Sequence, residues 1–162
     1  IDRRFQLIGN IETESGTVML VDDYGHHPTE IEATLAAAKS GWPGKRIILI
    51  FQPHRYSRTR DLMDDFVNVL SEVDVLILLD VYAAGEEPIP GADGRALAKA
   101  IRTRASIEPI FSDSFDNLQK ILLDLIKDGD FILTMGAGDI SSYASDLPNL
   151  LKKNPSSNVS KS

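Results

Sequence analysis

Five short apolar runs punctuate the chain: Thr17–Val21, Arg46–Phe51, Val75–Leu79, Ile107–Phe111 and Phe131–Met135. Between them apolar positions recur at helical spacing. Ile31, Leu35 and Ala38 come after Pro28, which suits a first helical turn because its missing N–H costs nothing there. Gly41 and Pro43 end that helix. Leu62, Phe66, Val69 and Val73 mark a second helix, after a polar loop from Gln52 to Arg60. A long Gly/Pro-rich loop, Tyr82 to Gly91, precedes a third helix capped by Asp93 and running through Ile101. Ser114 caps a fourth, carrying Leu118, Ile121, Leu122, Leu125 and Ile126, with Gly129 as its stop. Gly136-Ala137-Gly138-Asp139 leads into a last helix that Pro148 shortens or kinks.

Strand and helix thus alternate, and the strands read as continuous apolar runs rather than alternating ones. That is the pattern of strands buried on both faces. It predicts a three-layer α/β/α sandwich with a mainly parallel, Rossmann-like sheet. Residues 1–150 form the expected domain. Residues 151–162 are expected to be a polar, disordered tail. In folds of this type ligands sit beyond the carboxyl ends of the strands. The residues just after Val21, Phe51, Leu79 and Met135 are therefore the candidates for chemistry.

Composition narrows the picture. The chain has 162 residues and a net charge of −7, with no cysteine. The acidic balance argues against general nucleic-acid binding. Disulfides and thiolate chemistry are excluded, which fits a cytoplasmic protein. No apolar run approaches the roughly 18 to 20 residues that cross a membrane. The first residues lack an initiator methionine and a signal-peptide pattern, and are expected to be a cut inside a longer protein.

Against that background the basic clusters stand out. His26 and His27 lie after the first strand; His54 lies after the second, together with Arg55, Arg58 and Arg60. Guanidinium groups clamp phosphate or carboxylate, so this loop is a candidate anion site. The bland alternative is pairing of these arginines with nearby Asp61, Asp64 or Asp65. Asp22 and Asp23 with His26 and His27 have metal-ligand chemistry but no metal-ligand spacing, so no metal is assigned to them. Asp23 has two readings, acceptor for a ligand or helix cap. The Gly136-Ala137-Gly138 turn would allow close approach of an anion, but as a motif it is weak. No G-x-x-x-x-G-K-[ST] phosphate loop occurs anywhere in the chain.

Three stretches resemble the UDP-N-acetylmuramate–L-alanine ligases of the Mur ligase family. They are Val21-Asp22-Asp23-Tyr24-Gly25-His26-His27-Pro28-Thr29-Glu30, Phe51-Gln52-Pro53-His54-Arg55-Tyr56-Ser57-Arg58-Thr59-Arg60, and Asp80 to Gly91 (DVYAAGEEPIPG). Arg3-Arg4-Phe5 is similar to the arginine pair at that family's domain boundary, and Gly136 to Asp139 to its G-A-G-[ND] turn. The resemblance runs from residue 3 to about 150. The related murein peptide ligases share the His-His-Pro step but not the Q-P-H-R-[FY]-[ST]-R-T-R run.

The resemblance implies the C-terminal domain of a three-domain enzyme. The N-terminal and central domains would hold the UDP end of the substrate and the phosphate loop with its Mg2+ ligands. ATP would phosphorylate the muramoyl carboxylate, and the amine of L-alanine would attack the acyl phosphate. Carried over, Arg4 would contact ATP phosphates and Asp23 the ribose, with Tyr24 beside the nucleotide. Tyr24, His26, Arg55 and Arg58 would line the pocket for alanine and the muramoyl carboxylate, with His26, Arg55 and Arg58 catalytic. Alone, the chain is expected to fold but not to ligate. The competing readings are a stand-alone nucleotide- or anion-binding module, a murein peptide ligase relative, and a small metal-dependent phosphatase.

Overall fold

The computed structural model describes residues 4–155. The elements in chain order are β1 (Gln6–Thr13), β2 (Gly16–Asp23), α1 (Pro28–Gly41), β3 (Ile47–Phe51), α2 (Tyr56–Asp61) and α3 (Met63–Leu70). They continue with β4 (Val75–Leu79), α4 (Gly94–Arg104), β5 (Ile110–Ser112), α5 (Phe115–Leu125), β6 (Phe131–Met135) and α6 (Ile140–Leu151). One sheet has the order β1-β2-β6-β3-β4-β5. The pairs from β2 to β5 are all parallel, and β1 alone is antiparallel, to β2.

The buried strands divide their side chains between two cores, because successive residues point to opposite faces. Leu49, Phe51, Leu76, Leu78, Leu133 and Met135 pack under α1, α3 and α4. Ile48, Ile50, Ile77, Leu79 and Ile132 pack under α5 and α6. The expected three-layer α/β/α sandwich with a mainly parallel sheet is therefore the observed fold.

Three differences from the sequence expectation have physical causes. β1 carries no strand signal in the sequence, because Gln6, Gly9, Asn10 and Glu12 break its apolar character. It is an edge strand, held by a two-residue hairpin in which the Thr13 hydroxyl donates to the Gly16 carbonyl at 2.7 Å. The Gln52–Arg60 loop is partly helical, since α2 starts at Tyr56 and breaks at Leu62 before α3. α6 continues through Pro148 to Leu151. Beyond it, Lys153 N–H donates to the Glu12 carbonyl and Asn154 N–H to Glu14, so the chain is still tied to β1 there. Residues 156–162 of the expected tail, and Arg3 of the arginine pair, lie outside the described residues. No described helix is long and apolar enough to cross a membrane.

Candidate active site at the carboxyl edge of the sheet

The parallel strands β2, β6, β3 and β4 end side by side, so the loops after them form one surface. Asp23, at the end of β2, is 1% exposed. Its carboxylate accepts from Gly25 N–H at 2.7 Å, Phe5 N–H at 2.8 Å and the Thr34 hydroxyl at 3.0 Å. It therefore ties the entering chain, the histidine loop and α1 together. A ribose could reach it only if the Arg4–Phe5 segment moved aside. Arg4 lies 3.9 Å from Asp23 and donates to Glu30 at 2.6 Å. Glu30 also accepts from the N–H groups of His26 and His27, both at 3.1 Å. This is the reach-back carboxylate of a capping box, three residues after the N-cap His27. Burial pulls the Glu30 carboxyl upward, but these donors more than offset it and leave it below the usual range.

His26 and His54, from different loops, stand with ring centroids 5.2 Å apart. Tyr24 meets the His26 ring edge-on at 5.5 Å, and Tyr82 stacks on His54 at 5.6 Å. Their partners set their tautomers. Arg58 Nη1 lies 3.2 Å from His54 Nδ1, and a guanidinium can only donate. His54 Nδ1 is thus the acceptor, and its proton sits on Nε2. His26 Nδ1 lies 3.3 Å from the Tyr24 carbonyl, which can only accept. The neutral His26 ring therefore keeps an unprotonated Nε2. Burial pushes both imidazoles below their ordinary pKa. For His54 the His26, Arg58 and Arg55 charges act in the same direction; for His26 the Tyr24 carbonyl opposes burial.

Arg58 also donates to the His54 carbonyl at 2.9 Å. Arg55, exposed at the N-cap of α2, has φ 76° and ψ 134°. For a residue with a side chain such a backbone costs about 1 to 3 kcal/mol, and it persists only where its surroundings over-determine it. Here Arg55 N–H donates to the Tyr82 carbonyl at 2.8 Å, and its carbonyl accepts from the Thr59 hydroxyl at 2.9 Å. The surface pairing with Asp61, Asp64 or Asp65 is not formed by Arg55 or Arg58. Asp61 pairs with Arg60 and Asp64 with Arg104. Among the described residues, no carboxylate forms an ion pair with Arg55 or Arg58. Arg60, the third arginine of the run, is thus set apart from the other two.

The glycines of the Gly-Ala-Gly turn pack against neighbouring loops. A Cβ on Gly136 would meet the Gln52 carbonyl at 2.9 Å, and one on Gly138 would meet Tyr82 Cγ and Gln52 Oε1 at 2.6 Å. The glycines let the loops after β3, β4 and β6 close on one another. Gln52 accepts from Ile140 N–H at 3.0 Å and donates to Asp139 at 2.5 Å, so it occupies the start of α6. Gln52, Tyr82 and Glu86 lie inside the stretches that carry the family resemblance, but no local spacing gives their roles, because their partners are remote in the chain. Among the described residues no group of three His, Asp or Glu side chains is arranged to hold a metal ion.

Among known protein families, the profile of the Mur ligase glutamate ligase domain matches residues 3–138. The chain belongs to the Mur ligase family. This Mur ligase domain is similar to part of a UDP-N-acetylmuramate–alanine ligase from Thermotoga maritima, with 24% identity over 91% of the chain and 29% of that protein, at a TM-score of 0.69. It is similar to a murein peptide ligase from Psychrobacter arcticus, with 25% identity over 93% of the chain and 30% of that protein, at a TM-score of 0.70. A MurF ligase from Thermotoga maritima in complex with ADP shares the fold, with 18% identity over 87% of the chain and 29% of that protein, at a TM-score of 0.53. The domain spans about three-tenths of each.

Proposed function

We propose that the domain serves an ATP-dependent ligase that joins L-alanine to UDP-N-acetylmuramate in the cytoplasm, as a step of peptidoglycan precursor synthesis. The observation that carries this reading is the grouping of Arg55 and Arg58, which form no ion pair among the described residues, with the close His26 and His54 imidazoles, at the carboxyl edge of a Mur ligase domain. The γ-phosphoryl of ATP passes to the muramoyl carboxylate, giving an acyl phosphate and ADP. The alanine amine attacks the acyl carbon, the C–O bond to phosphate breaks, and the amide forms.

Within that reading His26 Nε2 accepts the proton the ammonium group must lose before it attacks. Arg55 and Arg58 hold alanine's carboxylate and the acyl phosphate oxygens, where charge develops. Tyr24 packs beside His26 and borders the nucleotide. Arg4 and Asp23 reach ATP phosphate and ribose once the Arg4–Phe5 segment swings away. Mur ligases use ATP with Mg2+, and Mg2+ would offset phosphate charge. The phosphate loop and metal ligands are assigned to domains other than this one, the partners it closes upon.

The likeness to a murein peptide ligase keeps a second reading in view, in which a tripeptide replaces alanine. The His54–Arg58 run and the resemblance built on it favour alanine. The test is ADP release by the intact enzyme with UDP-N-acetylmuramate and either L-alanine or L-alanyl-γ-D-glutamyl-meso-diaminopimelate. Alanine-dependent release supports the proposal, and release with the tripeptide alone overturns it. The 162-residue chain by itself should give neither.

A further inference from the structure

α2 has only six residues, and its N-cap Arg55 offers no side-chain cap. Its first N–H groups must find an acceptor elsewhere. They find it in Glu86, on the loop between β4 and α4, 29 residues away. Glu86 Oε1 accepts from Ser57 N–H at 3.1 Å, and Oε2 accepts from the Ser57 hydroxyl. The same two loops are joined by Tyr82 N–H donating to the Pro53 carbonyl at 2.8 Å and Arg55 N–H donating to the Tyr82 carbonyl at 2.8 Å. The Glu86 loop turns sharply to make this reach, with Ala84 at φ 53° and Gly85 at φ 89°. Glu86 is thus anchored on the segment that contains His54, the unusual backbone of Arg55, and Arg58.

We propose that Glu86 is a positioning residue: from the β4–α4 loop it clamps Ser57 and so fixes the register of His54, Arg55 and Arg58 at the amino-acid pocket. It touches no reacting atom. Its carboxylate counters the local positive charge without pairing with either arginine, so the guanidinium groups stay available. A plain helix cap would affect stability alone. A positioning residue also sets where the guanidinium groups meet the amino acid, and small misplacements at such a site are costly.

Two measurements test this, and they fail separately. The first uses the chain itself and does not depend on the ligase reading. Imidazole 15N shifts should show His54 as the Nε2–H tautomer held by Arg58. In Glu86→Ala that signature should move toward the averaged tautomer, while the far-UV spectrum stays native. The second uses the intact ligase, and rests on the proposed function. Glu86→Ala should raise the KM for alanine about tenfold or more and leave the KM for ATP within about twofold. Glu86→Gln, which can still accept from Ser57 N–H, should recover most of the loss, and Ser57→Ala should fall between. An unchanged His54 tautomer in a folded Glu86→Ala chain overturns the clamp, whatever the enzyme does. So does an equal rise in both KM values. An intact enzyme that uses no alanine at all overturns the functional reading instead.

Discussion

At the amino edge of the sheet, Arg46 donates to Asp130 at 3.1 Å and to the Leu125 carbonyl at 2.8 Å. Asp130 is 3% exposed and also accepts from Lys127 N–H. At the carboxyl edge, Arg58 donates to an imidazole and a carbonyl, and Arg55 forms no ion pair among the described residues. The residue type is the same and the accounting differs. Where the fold needs a cation, it supplies a buried carboxylate. Where a ligand would supply the anion, the fold holds the guanidinium with neutral acceptors and leaves its charge without an ion-pair partner. Partner type thus separates Arg55 and Arg58 from Arg46, while Arg4, at the same carboxyl edge, is paired with Glu30.

The sharpest way to break this comparison is to exchange the fork for a point charge at the carboxyl edge. Arg55→Lys and Arg58→Lys in the intact ligase should each lower turnover by about a hundredfold, because lysine keeps the charge but not the bidentate geometry. The melting temperature of Arg55→Lys should move by less than about 2 °C, since no ion pair is lost, and that of Arg58→Lys somewhat more, since its hydrogen bonds to His54 are weakened. Turnover and alanine KM both within about twofold of wild type would show that these arginines are not ligand contacts.

At the other edge the outcome should invert. Arg46→Ala strands a buried Asp130 with one remaining N–H donor, a loss of about 2 to 3 kcal/mol. Thermal unfolding should drop by about 5 to 10 °C, with ligase kinetics unchanged. A smaller effect is expected where the loops touch. Gly138→Ala puts a methyl group against Tyr82 and Gln52, an overpacking cost of about 1 to 2 kcal/mol. It should also disturb His54 through its Tyr82 partner. Kinetics and stability both at wild-type values would mean that the loop junction is looser than its contacts.

How much of this could be read from the chain depends on the range of the interaction. Strand runs such as Ile47–Phe51 and Phe131–Met135 are legible, because burial on both faces leaves almost no polar positions, Thr134 excepted. The caps at Asp93 and Ser114 are legible because donor and acceptor are three residues apart, Asp93 to Ala96 N–H and Ser114 to Asn117 N–H. Glu30 is equally local and could have been found by its capping-box spacing. β1 is not legible: its edge position lets Gln6, Asn10 and Glu12 replace apolar residues. Gln52, Tyr82 and Glu86 fall within motif stretches, but their roles are not legible, because their partners come from other loops. The grouping of His26 with Arg58 is anticipated by the strand-end rule, and Arg60 pairs with its sequence neighbour Asp61, but the tautomers and the pairing of Arg104 with Asp64 depend on three-dimensional contacts.

The smallest effect expected is one of pH. His26 and His54 have pKa values held below the ordinary imidazole value in the folded chain. Between those depressed values and about 6.5, the unfolded chain binds protons that the folded chain does not. Stability should therefore rise with pH across that window and level off above about 7, as far as these two groups are concerned. Glu30 and Glu86, whose carboxyls are held low, act in a separate window, because their contribution is lost only as pH falls through the carboxylate range near about 4.3 and below. Melting temperatures taken between about pH 5.5 and 7.5 should thus isolate the imidazoles. The double variant His26→Gln/His54→Gln should flatten the slope. Arg46→Ala, at the opposite edge, should lower the whole curve and leave its slope unchanged. If the double variant keeps the wild-type slope, the proton linkage lies elsewhere, and the two imidazoles are not the neutral pair that an amine base at His26 requires.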